Sequence, residues 1–188
     1  MMFDAALLDQ ARKVLDGARA KNVRIVTAES CTGGLIAGLL TEIPGSSDVV
    51  ERGFVTYSNE AKEESLGVPA VLLRKYGAVS DHVARAMADG ALRQSRAQLA
   101  IAVTGIAGPG GGSVERPVGL VYIAVARLPH ARVSALEGEV SVAGSRVSEG
   151  RRGENISSHE FRFGDVGRSE VRLATMREAL KLLASALN

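Results

Sequence analysis

"QLAIAVTGIAGPGGGSVERPVGLVYIAVAR", residues 98–127, decides the fold. Two apolar, β-branched-rich runs, 98–108 and 117–127, read as strands separated only by a glycine-rich connection, with no helical pattern between them. Upstream, strands and helices alternate instead. Residues 4–20 place Ala5, Leu8, Ala11, Leu15 and Ala18 at helical spacing. "VRIVTA" (23–28) is a strand, and "GGLIAGLLTEI" (33–43) a helix stopped by Pro44-Gly45. "VVERGFVTYS" (49–58) is the next strand. "NEAKEESLGV" (59–68) begins as a helix with Asn59 suited to cap it, and 77–97 holds a helix starting at Ser80-Asp81. Residues 168–187 close the chain with an amphipathic helix. From 128 to 160 the pattern fades to weak alternation, and "SRVSEGRRGENISS" (145–158) reads as a mobile loop. Alternating units followed by two consecutive strands predict one α/β domain over 1–188, a three-layer α/β/α sandwich with a mixed, mostly parallel sheet.

The bulk composition suits that fold. With 188 residues the chain can bury a core without disulfides, and 46% hydrophobic against 23% charged residues is ordinary for a globular protein. Aromatics reach only 4% with no Trp, so the core rests on Ala, Val, Leu and Ile. The single cysteine, Cys31, rules out an internal disulfide and agrees with a reducing compartment. The N-terminal stretch lacks the basic-then-apolar pattern of a secretion signal, and no apolar run reaches membrane-spanning length. A soluble cytoplasmic protein without membrane partners is expected. Mixed charges with a net of +2 lack the dense basic stripe of a nucleic-acid surface and suit a phosphate-bearing small ligand better.

In open α/β sheets ligands gather beyond the carboxyl ends of strands, near helix starts. Three segments lie at such ends. In "ESCTGG" (29–34) a strand runs through Ser30, Cys31 and Thr32 into Gly33, Gly34 and a helix, so backbone N–H groups around Ser30 and Cys31 are expected to be free to hold an oxyanion or a phosphate. The same residues read equally as a turn in which Ser30 or Thr32 caps the helix. In "TYSNEAK" (56–62), Lys62 falls on the first turn of a helix after Tyr57. It is either a solvated lysine paired with Glu63 or Glu64, or a partly buried amine whose lowered pKa makes it the base for a serine hydroxyl. In "VTGIAGPGGGS" (103–113), Gly105, Gly108, Gly110, Gly111 and Gly112 form either a flexible connection or a ligand loop whose N–H groups turn inward.

Other constellations are poor. His82, His130 and His159 are widely separated without metal-ligand spacing, so no metal is expected, and a triad would need His82 beside Asp81. Cys31 is either a thiolate nucleophile or a small buried residue.

Taken together, "AESCTGG" at 28–34, "YSNEAK" with "LGV" at 57–68, "GAVS" at 77–80, "AVTGIAGPGGGS" with "PVGLVYIA" at 102–124 and "FGDVGRSEVR" at 163–172 resemble the C-terminal domain family of the competence/damage-inducible protein CinA. The likeness spans nearly the whole chain apart from 128–160. It departs at the ending, where the family's Gly-Asp-Arg becomes Asp165-Val166-Gly167-Arg168. The resemblance implies hydrolysis of nicotinamide mononucleotide (NMN) to nicotinate mononucleotide and ammonia in pyridine nucleotide salvage. It also implies a reaction without cofactor or metal and a homodimer or higher homo-oligomer. By motif position Ser30 would be the nucleophile and Lys62 its base, with Tyr57 beside them as a third catalytic residue. Cys31, Thr32, Gly33, Gly34 and Asn59 would contact the substrate from the first two loops. Thr104, Gly105, Gly108, Gly110 and Gly111 would do so from the third. N–H groups near Cys31 and Gly105 would hold the oxyanion, and Gly33, Gly34 and 108–112 the phosphate and ribose. Glu29 would orient Lys62 or bind a ribose hydroxyl. The alternative reading is a non-catalytic nucleotide-binding module using the same loops.

Overall fold

The computed structural model describes residues 3–128 and 155–188. Helix α1 (Ala5–Ala20) starts at Asp4, whose carboxylate accepts the Leu7 N–H at 2.8 Å, and buries Leu7, Leu8, Ala11, Val14, Leu15 and Ala18. There follow β1 (Ile25–Glu29), α2 (Leu35–Thr41), a 3-10 turn (Ser46–Asp48), β2 (Val50–Val55), α3 (Asn59–Leu66), α4 (Ala70–Tyr76) and α5 (Asp81–Arg93). The chain ends with β3 (Leu99–Gly105), β4 (Leu120–Arg127), β5 (Asn155–Arg162) and α6 (Arg168–Ala186). The strands lie in the order β2-β1-β3-β4-β5. β1 is parallel to β2 and β3, while β4 is antiparallel to β3 and β5. Four of the five strands therefore run the same way, in the mixed three-layer architecture expected of the sequence.

Alternation along the strands splits the core in two. Ile25, Leu99, Ile101, Val103, Val121, Ile123 and Val125 face α1, α2 and α6. Val26, Ala28, Ala100, Ala102, Ala124 and Ala126 face Val83, Ala84, Met87, Ala88 and Ala91 of α5. Small strand residues on this second face let α5 lie close to the sheet, and α3 in turn lies close to α5. A Cβ at Gly90 would collide with the Leu66 carbonyl oxygen at the end of α3. Gly90→Ala is expected to cost roughly 2 kcal/mol by overpacking, read as a fall in Tm of about 4–8 °C. Gly110→Ala, at a position with open space around the missing Cβ, should leave Tm unchanged.

Between β3 and β4 the connection is shaped rather than loose. Leu120 N–H donates to Pro117 O at 3.1 Å, closing a turn with Gly119 at φ +88°. Gly119 N–H donates to Ile106 O at 2.8 Å, and Ile106 N–H to Leu120 O at 2.9 Å. Two residues of one strand thus oppose one of the other, the bulge that needs a left-handed glycine at its first position. Its effect is to restart the ladder in register at Gly105–Val121.

Two expectations need correction and one element was not anticipated. Ser58, not Asn59, caps α3, its Oγ accepting the Ala61 N–H at 3.0 Å; Asn59 is the first helical residue and is exposed. Helix α4 escaped the pattern because it is one seven-residue stretch behind Pro69 that buries only Leu73. Residues 155–158, read as loop, belong to β5, an edge strand whose polar outer residues hide its pairing with β4. The rest of the 145–158 loop, and His130, lie outside the described residues.

Candidate active site

The three loops converge because three parallel strands end together. Glu29, the last residue of β1, lies opposite Val55 of β2 and Val103 of β3. The ladder continues one step beyond it on both sides. Thr56 N–H donates to Glu29 O at 2.8 Å, and Ser30 N–H to Val103 O at 3.0 Å. The Ser30 N–H is therefore committed to the sheet, contrary to the expectation that it is free for an oxyanion.

Helix α3 starts three residues after Thr56 and brings Lys62 back over the strand ends. Lys62 is 1% exposed. Its Nζ donates to Ser30 Oγ at 3.0 Å, Thr56 O at 2.6 Å and Ser58 O at 3.4 Å. All three acceptors are neutral, so burial is the dominant influence and pushes the ammonium from 10.5 down to about 8, with the neighbouring Cys31 opposing weakly. A solvated lysine paired with Glu63 or Glu64 is not what forms. At mildly alkaline pH a substantial fraction of Lys62 is the free amine, able to accept the Ser30 proton.

Neither Ser30 nor Thr32 caps α2. Glu29 does. Its carboxylate is wholly buried and accepts the N–H groups of Gly34 (3.0 Å), Ile36 (3.0 Å) and Ala37 (2.8 Å), with Thr27 Oγ1 donating at 3.1 Å. Gly33 N–H donates to Ser30 O at 3.0 Å. The N–H groups of Gly33 and Gly34 are thus used internally, which corrects their assignment to a substrate phosphate. Glu29 likewise neither contacts Lys62 nor faces outward for a ribose. Thr32 is buried; its carbonyl accepts Arg172 Nη2 at 2.8 Å, and its Oγ1 has no hydrogen-bond partner among the described residues.

Cys31 packs into the core beneath α1, α2 and α6. Burial first, and then the Glu29 charge, push its thiol to about 12, so it stays protonated at physiological pH. Its side chain fills the core rather than facing the Ser30–Lys62 pair. Iodoacetamide at pH 8 should leave the native protein unalkylated, and Cys31→Ala should keep the wild-type kcat within about threefold while lowering stability by about 1 kcal/mol.

Tyr57 stands at the rim rather than on the dyad. It is 63% exposed, and its hydroxyl accepts Arg168 Nη2 at 3.1 Å. Arg168 Nη1 also donates to Gly108 O at 3.1 Å, so this guanidinium bridges the second and third loops. The Thr104 hydroxyl donates to Ala78 O at 2.8 Å and so holds the α4–α5 connection. Gly105 sits opposite Val121 next to the hydrogen-bonded Ile106, so its N–H points away from β4, towards the side where β1 has ended. Gly108 is buried, whereas Gly110 and Gly111 are exposed on the outer loop.

Sequence reasoning assigned no role to Arg168 or Arg172. They are one helical turn apart at the start of α6 and reach the loops through neutral acceptors, Tyr57 Oη, Gly108 O and Thr32 O. The "GRSEVR" spacing held that signal. Among the described residues, no group of three or more His, Cys, Asp or Glu could hold a metal ion, and no helix is long and apolar enough to cross a membrane.

Known proteins share this arrangement of elements. A solved structure of the competence/damage inducible protein CihA from Agrobacterium tumefaciens superposes with a TM-score of 0.83, at 49% identity over 99% of this chain and 98% of that one. The nicotinamide-nucleotide amidohydrolase PncC of Escherichia coli is 50% identical over 125 residues, 66% of this chain and 76% of its own length. A relative from Caldicellulosiruptor bescii is 46% identical over 164 residues, 87% of this chain, but the chain spans only 33% of that protein's length. Residues 8–140 match the profile of the CinA C-terminal domain. The chain belongs to the CinA C-terminal domain family.

Proposed function

We propose that the protein is a nicotinamide-nucleotide amidohydrolase that converts NMN and water to nicotinate mononucleotide and ammonia by a Ser-Lys mechanism. One observation carries this reading: the Lys62 amine, lowered to about 8, lies 3.0 Å from Ser30 Oγ in a buried setting without a carboxylate partner. The name of the Escherichia coli relative supplies the substrate class.

Ser30 Oγ attacks the carboxamide carbon as its proton passes to Lys62 Nζ. The Gly105 N–H is the backbone donor directed to the developing oxyanion. Lys62 returns the proton to the departing nitrogen, which leaves as ammonia, and the nicotinoyl ester remains on Ser30. Water, deprotonated by the same amine, then resolves the ester. With the donors at the start of α2 already occupied, Arg168 and Arg172 are the cations available to the phosphate. A salvage role for pyridine nucleotides and a homo-oligomeric state accompany the reading.

Purified protein is expected to release ammonia from NMN with EDTA present, with nicotinate mononucleotide as the co-product by chromatography. Calorimetric binding of NMN without turnover would favour the non-catalytic nucleotide-binding module instead.

A further inference from the structure

Glu29 is a fully buried carboxylate next to the nucleophile, and the Ser-Lys mechanism gives it no task. All four of its partners are neutral donors: three backbone N–H groups at the start of α2 and the Thr27 hydroxyl. Helix α2 has only seven residues, and its N-cap, Gly34, offers no side chain to those N–H groups. Between Ser30 and the helix lie Gly33 and Gly34 at φ +61° and +92°, the two most pliable backbone positions of the turn. The turn is held at one end by Ser30 N–H on Val103 O and at the other by the Glu29 carboxylate.

We infer that Glu29 is the positioning residue for Ser30, its carboxylate serving as a built-in anion that locks the start of α2 and thereby fixes the direction of Ser30 Oγ towards Lys62. The inference rests on the Ser-Lys reading above. Two physical consequences separate it from a role in substrate binding or in tuning the base. Burial and Cys31, not the Glu29 charge, set the Lys62 amine, so loss of the carboxylate misdirects the nucleophile without moving the titration of the amine. It also occupies the helix start, so a truncated side chain leaves an anion-shaped gap facing three N–H donors, which a small external carboxylate can fill.

Glu29→Ala and Glu29→Gln in the full chain test this. For Glu29→Ala, kcat for NMN is expected to fall about 100-fold, the scale of a misplaced reacting group, with KM within about threefold and the rising limb of the pH profile unmoved. Sodium formate at tens of millimolar should restore kcat at least about tenfold in Glu29→Ala and should do nothing for wild type. Formate should also raise the Tm of Glu29→Ala above any shift in wild type, a readout that needs no substrate. Glu29→Gln retains one carbonyl acceptor but sets an NH2 group against N–H donors, so a kcat loss of about tenfold with KM unchanged is expected. A rise in KM at constant kcat, a shifted pH limb, or formate that changes neither kcat nor Tm of Glu29→Ala would overturn the inference. Should Glu29→Ala fail to fold, wild-type kcat in Glu29→Gln overturns it and a selective kcat loss supports it. If wild type does not hydrolyse NMN, the functional reading fails, and the formate-dependent Tm still decides whether the Glu29 carboxylate is the anion that locks the start of α2.

Discussion

Replacing Ser30 by alanine is expected to lower the rate of ammonia release from NMN by roughly 10⁴-fold or more, because it removes the atom that forms the covalent bond and no other nucleophile stands in its place. Cys31, the adjacent candidate, is a protonated thiol turned into the core. Binding should survive. Ser30 donates its N–H to Val103 O through the backbone, and the turn is anchored by Glu29, so alanine alters neither. The Lys62 amine keeps two carbonyl acceptors, on Thr56 and Ser58. Calorimetry with NMN should therefore give a Kd close to that of wild type and thermal melting a Tm within about 2 °C, the range of a substitution that leaves no buried group unpaired. Ser30→Ala that turned over NMN at the wild-type rate would show that the hydroxyl is not the nucleophile.

Lys62→Met carries the second large effect. Methionine has nearly the length of lysine and fills the same slot, but it cannot take a proton. Loss of the general base is expected to lower kcat by roughly 10³-fold. In wild type, activity depends on the neutral amine, so kcat/KM should rise with pH through a limb near the value of about 8 to which burial lowers this group. Stability carries the same titration. The unfolded lysine holds its proton up to 10.5, the folded one only to about 8, so between these values the unfolded state binds more protons and stability rises with pH. Below about pH 8 both states are charged and the full burial penalty applies, on the order of 3 kcal/mol for such a shift. Denaturant melts of wild type and Lys62→Met across pH 7 to 10 should therefore show wild type gaining on the variant as pH rises. Across this range the Cys31 thiol ionises only in the unfolded state, in both proteins, and its contribution cancels in the difference. A flat difference, or a pH–rate limb that stayed in place in Lys62→Met, would count against Lys62 as the base.

The architecture was legible from "QLAIAVTGIAGPGGGSVERPVGLVYIAVAR" because two buried strands in succession leave a continuous apolar signature, and the antiparallel β3–β4 pair follows from it. β5 was not legible. At a sheet edge only Ile156, Ser158, Phe161 and Phe163 of 155–163 are partly covered, and the polar remainder looks like loop. At the site, the sequence brought Ser30 and Lys62 into one proposal, but it could not tell which groups the backbone would consume. Glu29 read as a residue at a strand end that would orient Lys62 or bind a ribose hydroxyl. Only the fold shows its carboxylate turned back onto Gly34, Ile36 and Ala37. Tyr57 and Arg168 stand 111 positions apart in the chain, and no local pattern announces that they touch.

The single reversed strand has an engineering consequence. Because β4 runs against its neighbours, Arg127 lies beside Leu99, at the sheet end opposite Gly105 and Ser30, and Asn155 pairs with it there. The described chain therefore leaves the sheet at Arg127 and re-enters it at Asn155 on the end away from Ser30. A fluorophore attached through a cysteine at the exposed position of Asn155 is thus expected to report from that far end without disturbing the distance between Ser30 Oγ and Lys62 Nζ.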